Sequence, residues 1–153
     1  MSIRKAAPAD AGPIARLLRG LGWFAHLEAE LPAQSENRVG RHLALCLADN
    51  SHSIYVAETA ADVVGYVAVH WQPSLFLPGP EGYISELFVE AAARGQGLGG
   101  QLLETVKEEA LARGCCRLLL LNRRDRASYG RGFYKKRGWV ERPEAVNFIY
   151  PLP

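Results

Sequence analysis

Residues 83–121 read as strand, glycine-rich turn, helix and strand, and this unit constrains the fold more than any other segment. Residues 83–89 form a β-rich run in which Ile84, Leu87, Phe88 and Val89 are apolar. The turn follows as Arg94-Gly95-Gln96-Gly97-Leu98-Gly99-Gly100. Leu98, Leu102, Leu103, Val106 and Ala110 then recur at helical spacing, and Gly114 suits the position just past the helix end. Residues 115–121 are continuously apolar apart from Arg117, as expected of a strand in the middle of a sheet. Two strands joined through a helix predict a right-handed parallel crossover. A glycine-rich turn at a helix start also exposes unpaired N–H groups at the positive end of the helix dipole. Such a turn can seat a phosphate or pyrophosphate.

The flanking chain supplies the rest of a mixed α/β domain. Residues 3–6 read as a first strand. Asp10 suits an N-cap, and Ile14, Leu17, Leu18 and Leu21 trace a helix that Gly20 and Gly22 end. Residues 23–32 are ambiguous. Ser35 opens a second helix carrying Val39, Leu43, Cys46 and Leu47. Residues 53–58 and 63–70 read as a hairpin joined by the 59–62 turn. Residues 128–137 look helical and stop at Gly138, and residues 139–141 and 146–150 read as two closing strands. The expected order is β-α-α-β-β-β-α-β-α-β-β, with helices flanking a mixed, mostly antiparallel sheet. With 153 residues, the chain is long enough for one domain with its own core, over residues 2–153.

A formal net charge of +2 gives no reason to expect nucleic-acid binding. Arginines and lysines nevertheless crowd residues 113–137, which fits a solvated face or attraction of an anionic ligand. Cys46, Cys115 and Cys116 show neither disulfide nor zinc spacing, which points to a reducing, cytoplasmic setting. No apolar run is long enough to span a membrane, and no secretory signal is visible at the start of the chain. His26, His42, His52 and His70 are scattered without metal spacing, so no metal is expected.

Gly95-x-Gly97-x-x-Gly100 matches the letters of the dinucleotide fingerprint. That fingerprint needs the first strand of its domain and an acid at the end of the next strand. Here the next strand ends Leu121-Asn122-Arg123-Arg124, with no acid before Asp125. A P-loop needs Gly-Lys-Ser/Thr, which is missing. Read instead as Arg94-x-x-Gly97-x-Gly99 after Glu86-Leu87-Phe88-Val89, the segment resembles the acetyl-CoA motif of the GNAT superfamily of N-acetyltransferases. Phe133-Tyr134-Lys135-Lys136-Arg137-Gly138-Trp139 resembles a second segment of that family, with Trp139 at a position usually held by Phe. The likeness extends over residues 2–150 and implies the GNAT fold.

The resemblance implies acetyl-CoA as co-substrate. The backbone of Arg94, Gly95, Gln96, Gly97, Leu98, Gly99 and Gly100 would cradle its pyrophosphate. Leu87, Phe88 and Val89 would lie along its pantetheine arm, with an N–H near Val89 polarising the acetyl carbonyl. Glu86 is the general-base candidate, because an ammonium must lose its proton before it attacks a thioester. Glu81 and Glu90 are weaker candidates on the same strand. Tyr134 would protonate the departing thiolate, with Tyr129 as its backup. Many relatives carry Asn seven residues before that Tyr. Here the position is Ala127, and Asn122 is the residue available to take over. Arg124, Arg126 and Arg131 are candidates for the phosphates.

The acceptor implied is a small-molecule amine attacking directly, without a covalent acetyl-cysteine. Trp23, Phe24, Trp71, Phe76 and Tyr83 come from segments that build acceptor sites in the family, and His70 is placed to face one. A protein lysine or N-terminal acetyltransferase and a non-catalytic acetyl-CoA-binding module are the alternatives. The family's habits also allow a homodimer through the C-terminal strand ending at Tyr150.

Overall fold

A computed structural model describes residues 1–60 and 62–153. The chain divides into two compact units, Met1–Leu120 and Leu121–Pro153. In the first, five strands form one sheet in sequential order: β1 (Ser2–Lys5), β2 (His52–Glu58), β3 (Val63–Gln72), β4 (Glu81–Val89) and β5 (Arg117–Leu120). The pairs from β1 to β4 are antiparallel. β4 and β5 are parallel, joined through α4 (Leu98–Ala112), as the crossover reading expects. The 59–62 turn includes residue 61, which lies outside the described residues. β5 is shorter than residues 115–121 and stands at the edge of the sheet rather than its middle. Its apolar side chains are accordingly only half-buried.

Alternation along the strands sorts side chains to the two faces. Ile54, Val56, Tyr66 and Ala68 share one face, and α1 (Ala11–Gly20) and α3 (Pro32–Leu47) cover it with Ile14, Leu17 and Leu43. The ambiguous stretch before α3 contains a single helical turn, α2 (Ala25–Glu28). Ser53 and Tyr55 point to the other face, where their hydroxyls donate to the two oxygens of Glu109 on α4 at 2.9 and 2.7 Å. Leu102, Leu103 and Val106 of α4 are fully buried. Gly82 permits the close approach of β3, β4 and β5. A Cβ there would meet Leu118 Cδ2 at 2.6 Å and Trp71 Cζ3 at 2.7 Å.

One helix start and one cap differ from the sequence reading. Asp10 stands at the N-cap position of α1 as expected, but its side chain makes no cap hydrogen bond. Its buried carboxylate turns back to accept the Ala7 N–H at 2.7 Å and a two-pronged contact from Arg4 at 2.8 and 2.9 Å. α3 begins at Pro32, three residues before Ser35, because proline needs no N–H partner in a first turn. The Gln34 side chain there accepts the Leu31 N–H at 3.0 Å.

In the second unit, the helix expected over residues 128–137 is broken into α5 (Ala127–Gly130) and a 3₁₀ turn, Lys135–Arg137. Gly132, at φ +66°, ends α5 with its N–H on Tyr129 O and the Phe133 N–H on Ser128 O. Gly138, at φ +81°, ends the 3₁₀ turn in the same way, with its N–H on Lys135 O and the Trp139 N–H on Tyr134 O. Both are left-handed glycine closures of the Schellman type. The two strands expected over residues 139–141 and 146–150 do not form: the described residues show no ladder there. Val146, Phe148, Ile149 and Tyr150 are exposed. β-propensity reports fit to a pleated, half-buried surface, and without a pairing partner it specifies no strand.

Arg4 hydrogen bonding holds the Asp10 carboxyl below its ordinary value of 3.8, against the opposing effect of burial. Its stabilising contribution is therefore complete above that pH and is lost as pH falls through the lowered folded value. Asp10→Ala is expected to cost about 2 kcal/mol at pH 7, with the difference from wild type shrinking below pH 3.8. Urea unfolding at pH 7 and pH 3 checks both.

Candidate active site

The site in the first unit begins where β4 loses a neighbour. β4 pairs with β5 only from Glu81–Arg117 to Ile84–Leu120. On its other edge β4 continues along β3 to Val89. The β3 register skips Ser85, since Ala68 faces Glu86 and Val69 faces Ile84. Ser85 is thus the extra residue of a β-bulge, which bends the strand and re-aims the side chains after it. Its hydroxyl lies 2.9 Å from His70 Nε2. From Ser85 to Val89, β4 has a ladder on the β3 side only among the described residues.

Beyond the bulge, Glu86 opens into a pocket of about 280 Å³ bounded by α1, α2, α3 and the sheet. The residue as a whole is solvent-exposed, while its carboxyl end lies among the pocket walls. Burial among the walls pushes it above the ordinary carboxylate range, while hydrogen bonding with the Tyr66 phenol pulls the other way. Tyr66 lies diagonally across the β3–β4 pair, where same-face side chains meet. Its phenol is 2% exposed and is pushed far up by burial and then by Glu86, so it stays protonated and can only donate to the carboxylate. Arg38, His42 and Cys46 of α3 also line the pocket, with His26 of α2. The Arg38 guanidinium is tied to Glu30, whose other oxygen accepts Ser35 Oγ at 2.9 Å. Burial, then Glu86, pushes the Cys46 thiol up, which disfavours the thiolate that nucleophilic attack would need. Sequence reading did not place His26, Arg38, His42 or Tyr66 in a site. The available signal was the four-residue spacing of Arg38, His42 and Cys46, which puts them on one stripe of α3.

At the far end of β4, Phe88 meets Trp23, Phe24 and Tyr66 edge-on, with ring centroids 5.7, 5.9 and 5.8 Å apart. Arg94 Nε donates to Val89 O at 2.9 Å, and its guanidinium lies 5.5 Å from the Trp23 ring centre. The turn therefore folds back onto the strand end. Gly95 and Gly97 both sit at φ +79°, a conformation that costs a side-chain-bearing residue about 1–2 kcal/mol. The first α4 helical bond runs from Gln101 N–H to Gly97 O at 3.0 Å. The amides of Leu98, Gly99 and Gly100 precede it and have no acceptor within the helix.

In the second unit, Tyr134 is half-buried, with its ring centroid 4.9 Å from Phe133 and 5.9 Å from Trp139. Burial raises its phenol above the ordinary value, and Arg131 counters in part. Tyr134 and Trp139 occupy the two positions whose side chains meet across a Schellman closure. The spacing of Tyr134, Gly138 and Trp139 thus has a direct structural cause. Asn122 Oδ1 accepts Ser128 Oγ at 3.0 Å, which brings it to the residue next to Ala127. The Tyr129 hydroxyl donates to Glu141 at 2.8 Å, and Lys135 pairs with the same carboxylate.

A family model described as the acetyltransferase (GNAT) family matches residues 20–139. The chain belongs to this family. It is 31% identical to glucosamine 6-phosphate N-acetyltransferase 1 of Oryza sativa subsp. japonica over 90% of this chain and 83% of that protein. It is 29% identical to thialysine N-epsilon-acetyltransferase of Bos taurus over 77% and 72%. A crystal structure described as a transcriptional regulator from Bacillus halodurans C-125 shares the fold at a TM-score of 0.85, with 24% identity over 97% of this chain and 99% of that one. The protein is thus an acetyl-transferring enzyme of a family that uses acetyl-CoA as co-substrate.

Several other GNAT-site candidates have structural employment here. Burial opposes ionisation of Glu81, but Arg117 at 2.6 Å, with Gln72 and Ser74, outweighs it and holds the carboxyl low. Glu90 extends the hairpin through its backbone N–H on Val64 O, a bond that leaves its carboxylate uninvolved. His70 does not line the pocket. It stacks edge-on against His52 at 4.4 Å and is bonded to Ser85. Of the five aromatics expected at the acceptor site, Phe24 lines the pocket, and Trp23 is one contact away on Phe88. Trp71 is buried with its Nε1–H on Ser53 Oγ at 2.9 Å. Tyr83 packs on His70, and Phe76 is exposed beneath Arg117. Cys115 and Cys116 belong to the turn before β5, where Cys116 Sγ donates to Gly79 O at 3.4 Å. Among the described residues no cluster of three or more metal-ligating side chains is present.

A carboxyl whose folded pKa is raised binds its proton more tightly folded than unfolded. Stability is then lost as pH rises from the unfolded value through the folded one. Glu86→Gln is accordingly expected to be more stable than wild type at pH 7, with the gain vanishing below the ordinary value of 4.5. Urea denaturation at pH 7 and pH 4 measures this.

Proposed function

We propose that this chain transfers the acetyl group of acetyl-CoA to the primary amine of a small molecule, the amine attacking directly, with residues 2–153 working as one catalytic domain. The observation that carries the reading is Glu86: a carboxylate of raised pKa, placed after a bulge in the lining of an open pocket beside the free edge of β4. A base tuned towards neutral pH removes a proton from an ammonium more effectively than one at the ordinary carboxylate value. A pocket of this size suits a small molecule rather than a protein chain. The three free thiols suit a reducing, cytoplasmic setting.

The residues present fit acetyl-CoA. Glycines at positive φ and unpaired amides at the start of α4 suit a pyrophosphate, and Arg94 adds a charge beside them. The pyrophosphate seat falls to Arg94, Gly95, Gln96, Gly97, Leu98, Gly99 and Gly100. The unladdered edge of Leu87, Phe88 and Val89 can hydrogen-bond an amide-containing arm. Asn122 takes the role of the side chain that Ala127 lacks, a reading supported by its hydrogen bond to Ser128, the neighbour of Ala127. When bound, acetyl-CoA supplies the activated thioester. Glu86 takes the proton from the acceptor nitrogen. Tyr134, its phenol kept protonated by burial, holds the proton that the departing sulfur needs.

Calorimetry with acetyl-CoA is expected to show saturable binding, and its absence at millimolar ligand would remove the reading. Glu86→Gln should lower kcat/KM for the amine by about 10²-fold or more and abolish the acidic limb of its pH profile. Tyr134→Phe should lower kcat by about 10²-fold while leaving acetyl-CoA affinity within about twofold of wild type by calorimetry.

A further inference from the structure

The pocket that contains Glu86 also specifies the chemistry of the amine. Most of its wall is hydrocarbon, including Leu18, Phe24, Leu27, Val39, Leu43 and Ile54. Among the described lining residues, Glu86 is the one acid. The one guanidinium, Arg38, is held in its ion pair with Glu30. His26 and His42 also line the pocket and are solvent-exposed.

Each class of acceptor has a different fate in such a pocket. A single ammonium is compensated by Glu86. A second ammonium would be stranded against leucine and valine, where an unpaired charge is strongly disfavoured. A phosphate would have to compete with Glu30 for Arg38, the one guanidinium of the lining. Sugar hydroxyls would exchange water for hydrocarbon and lose hydrogen bonds on every side. An apolar body gains what these lose, because each methylene removed from water adds to binding.

We propose that the acceptor is a monoamine carried on an apolar alkyl or arylalkyl body. The chain would thus differ in acceptor from its glucosamine 6-phosphate and thialysine relatives. The inference rests on the acetyl transfer proposed above. The ammonium meets Glu86, and the body lies between α1, α2 and α3.

Thiol release is measured at fixed acetyl-CoA with propylamine, butylamine, pentylamine, hexylamine, 2-phenylethylamine, 1,6-diaminohexane, glucosamine 6-phosphate, thialysine and kanamycin. KM is expected to fall about twofold to fourfold per methylene from propylamine to hexylamine. 1,6-Diaminohexane should have a kcat/KM at least tenfold below that of hexylamine. 2-Phenylethylamine should exceed glucosamine 6-phosphate, thialysine and kanamycin by at least tenfold. Phe24→Ala should raise KM for 2-phenylethylamine about tenfold, with acetyl-CoA affinity by calorimetry unchanged. A flat alkylamine series, or a preference for the amino sugars or thialysine, overturns this assignment and leaves acetyl transfer intact. Acetyl-CoA binding without thiol release from any amine overturns it as well. That last outcome, like the loss of acetyl-CoA binding itself, also removes the acetyl transfer beneath it, whereas a changed order of amines does not.

Discussion

The structure of the first unit depends on a change of neighbours along a single strand. β4 is paired on both edges up to Ile84 and on one edge beyond it. The change coincides with the extra residue Ser85, and the bend of a bulge re-aims the next side chain, Glu86, into the pocket. The two-sided half of β4 needs Gly82 for the close approach of Trp71 and Leu118. The one-sided half ends at Val89, whose carbonyl receives Arg94 and so anchors the glycine turn. Strand, pocket and turn are consequences of one local arrangement, and α4 is fastened to the sheet by Glu109 through Ser53 and Tyr55.

Two glutamates on the same strand show how environment assigns roles. Glu81 is buried beside Arg117 and also accepts from Gln72 and Ser74, so its charge is fully used in holding the sheet and the following loop. Glu86 meets Tyr66 and hydrocarbon instead, so its charge is only partly compensated. Carboxyls that are alike as free residues are pushed in opposite directions. An uncompensated carboxylate is a stability cost in the absence of a cation, which is the condition in which binding an ammonium yields most. Arg38 lines the same pocket but is ion-paired with Glu30.

Much of this was legible in the linear chain. The α4 stripe, the parallel crossover and the glycine turn are local or nearly local. The amide and dihedral demands of the turn are written into Gly95 and Gly97 themselves. The second motif was legible for a comparable reason, since Tyr134, Gly138 and Trp139 make one Schellman closure within six residues. Gly132 carries the same signal and ends α5 early in the helix expected over residues 128–137. Residues 146–150 carry strong β-formers and still join no ladder, because a strand is a property of two segments and propensity describes one.

The pocket was the least legible part, for a physical reason. Its walls come from α1, α2, α3 and the sheet, and only packing brings Phe24, Leu43 and Glu86 to one cavity. By itself, the sequence determined the first strand, α1, the hairpin and the strand–turn–helix–strand crossover, since these rest on short-range spacing, and it made Glu86 and Tyr134 candidates through the resemblance that their motifs carry. Tertiary structure decided which carboxylate on β4 is neutralised, that His26 and His42 rather than His70 reach the pocket, and that Arg38 is already engaged. Those outcomes depend on partners tens of residues away, and a side chain's charge becomes available or spent only when its neighbours are in place.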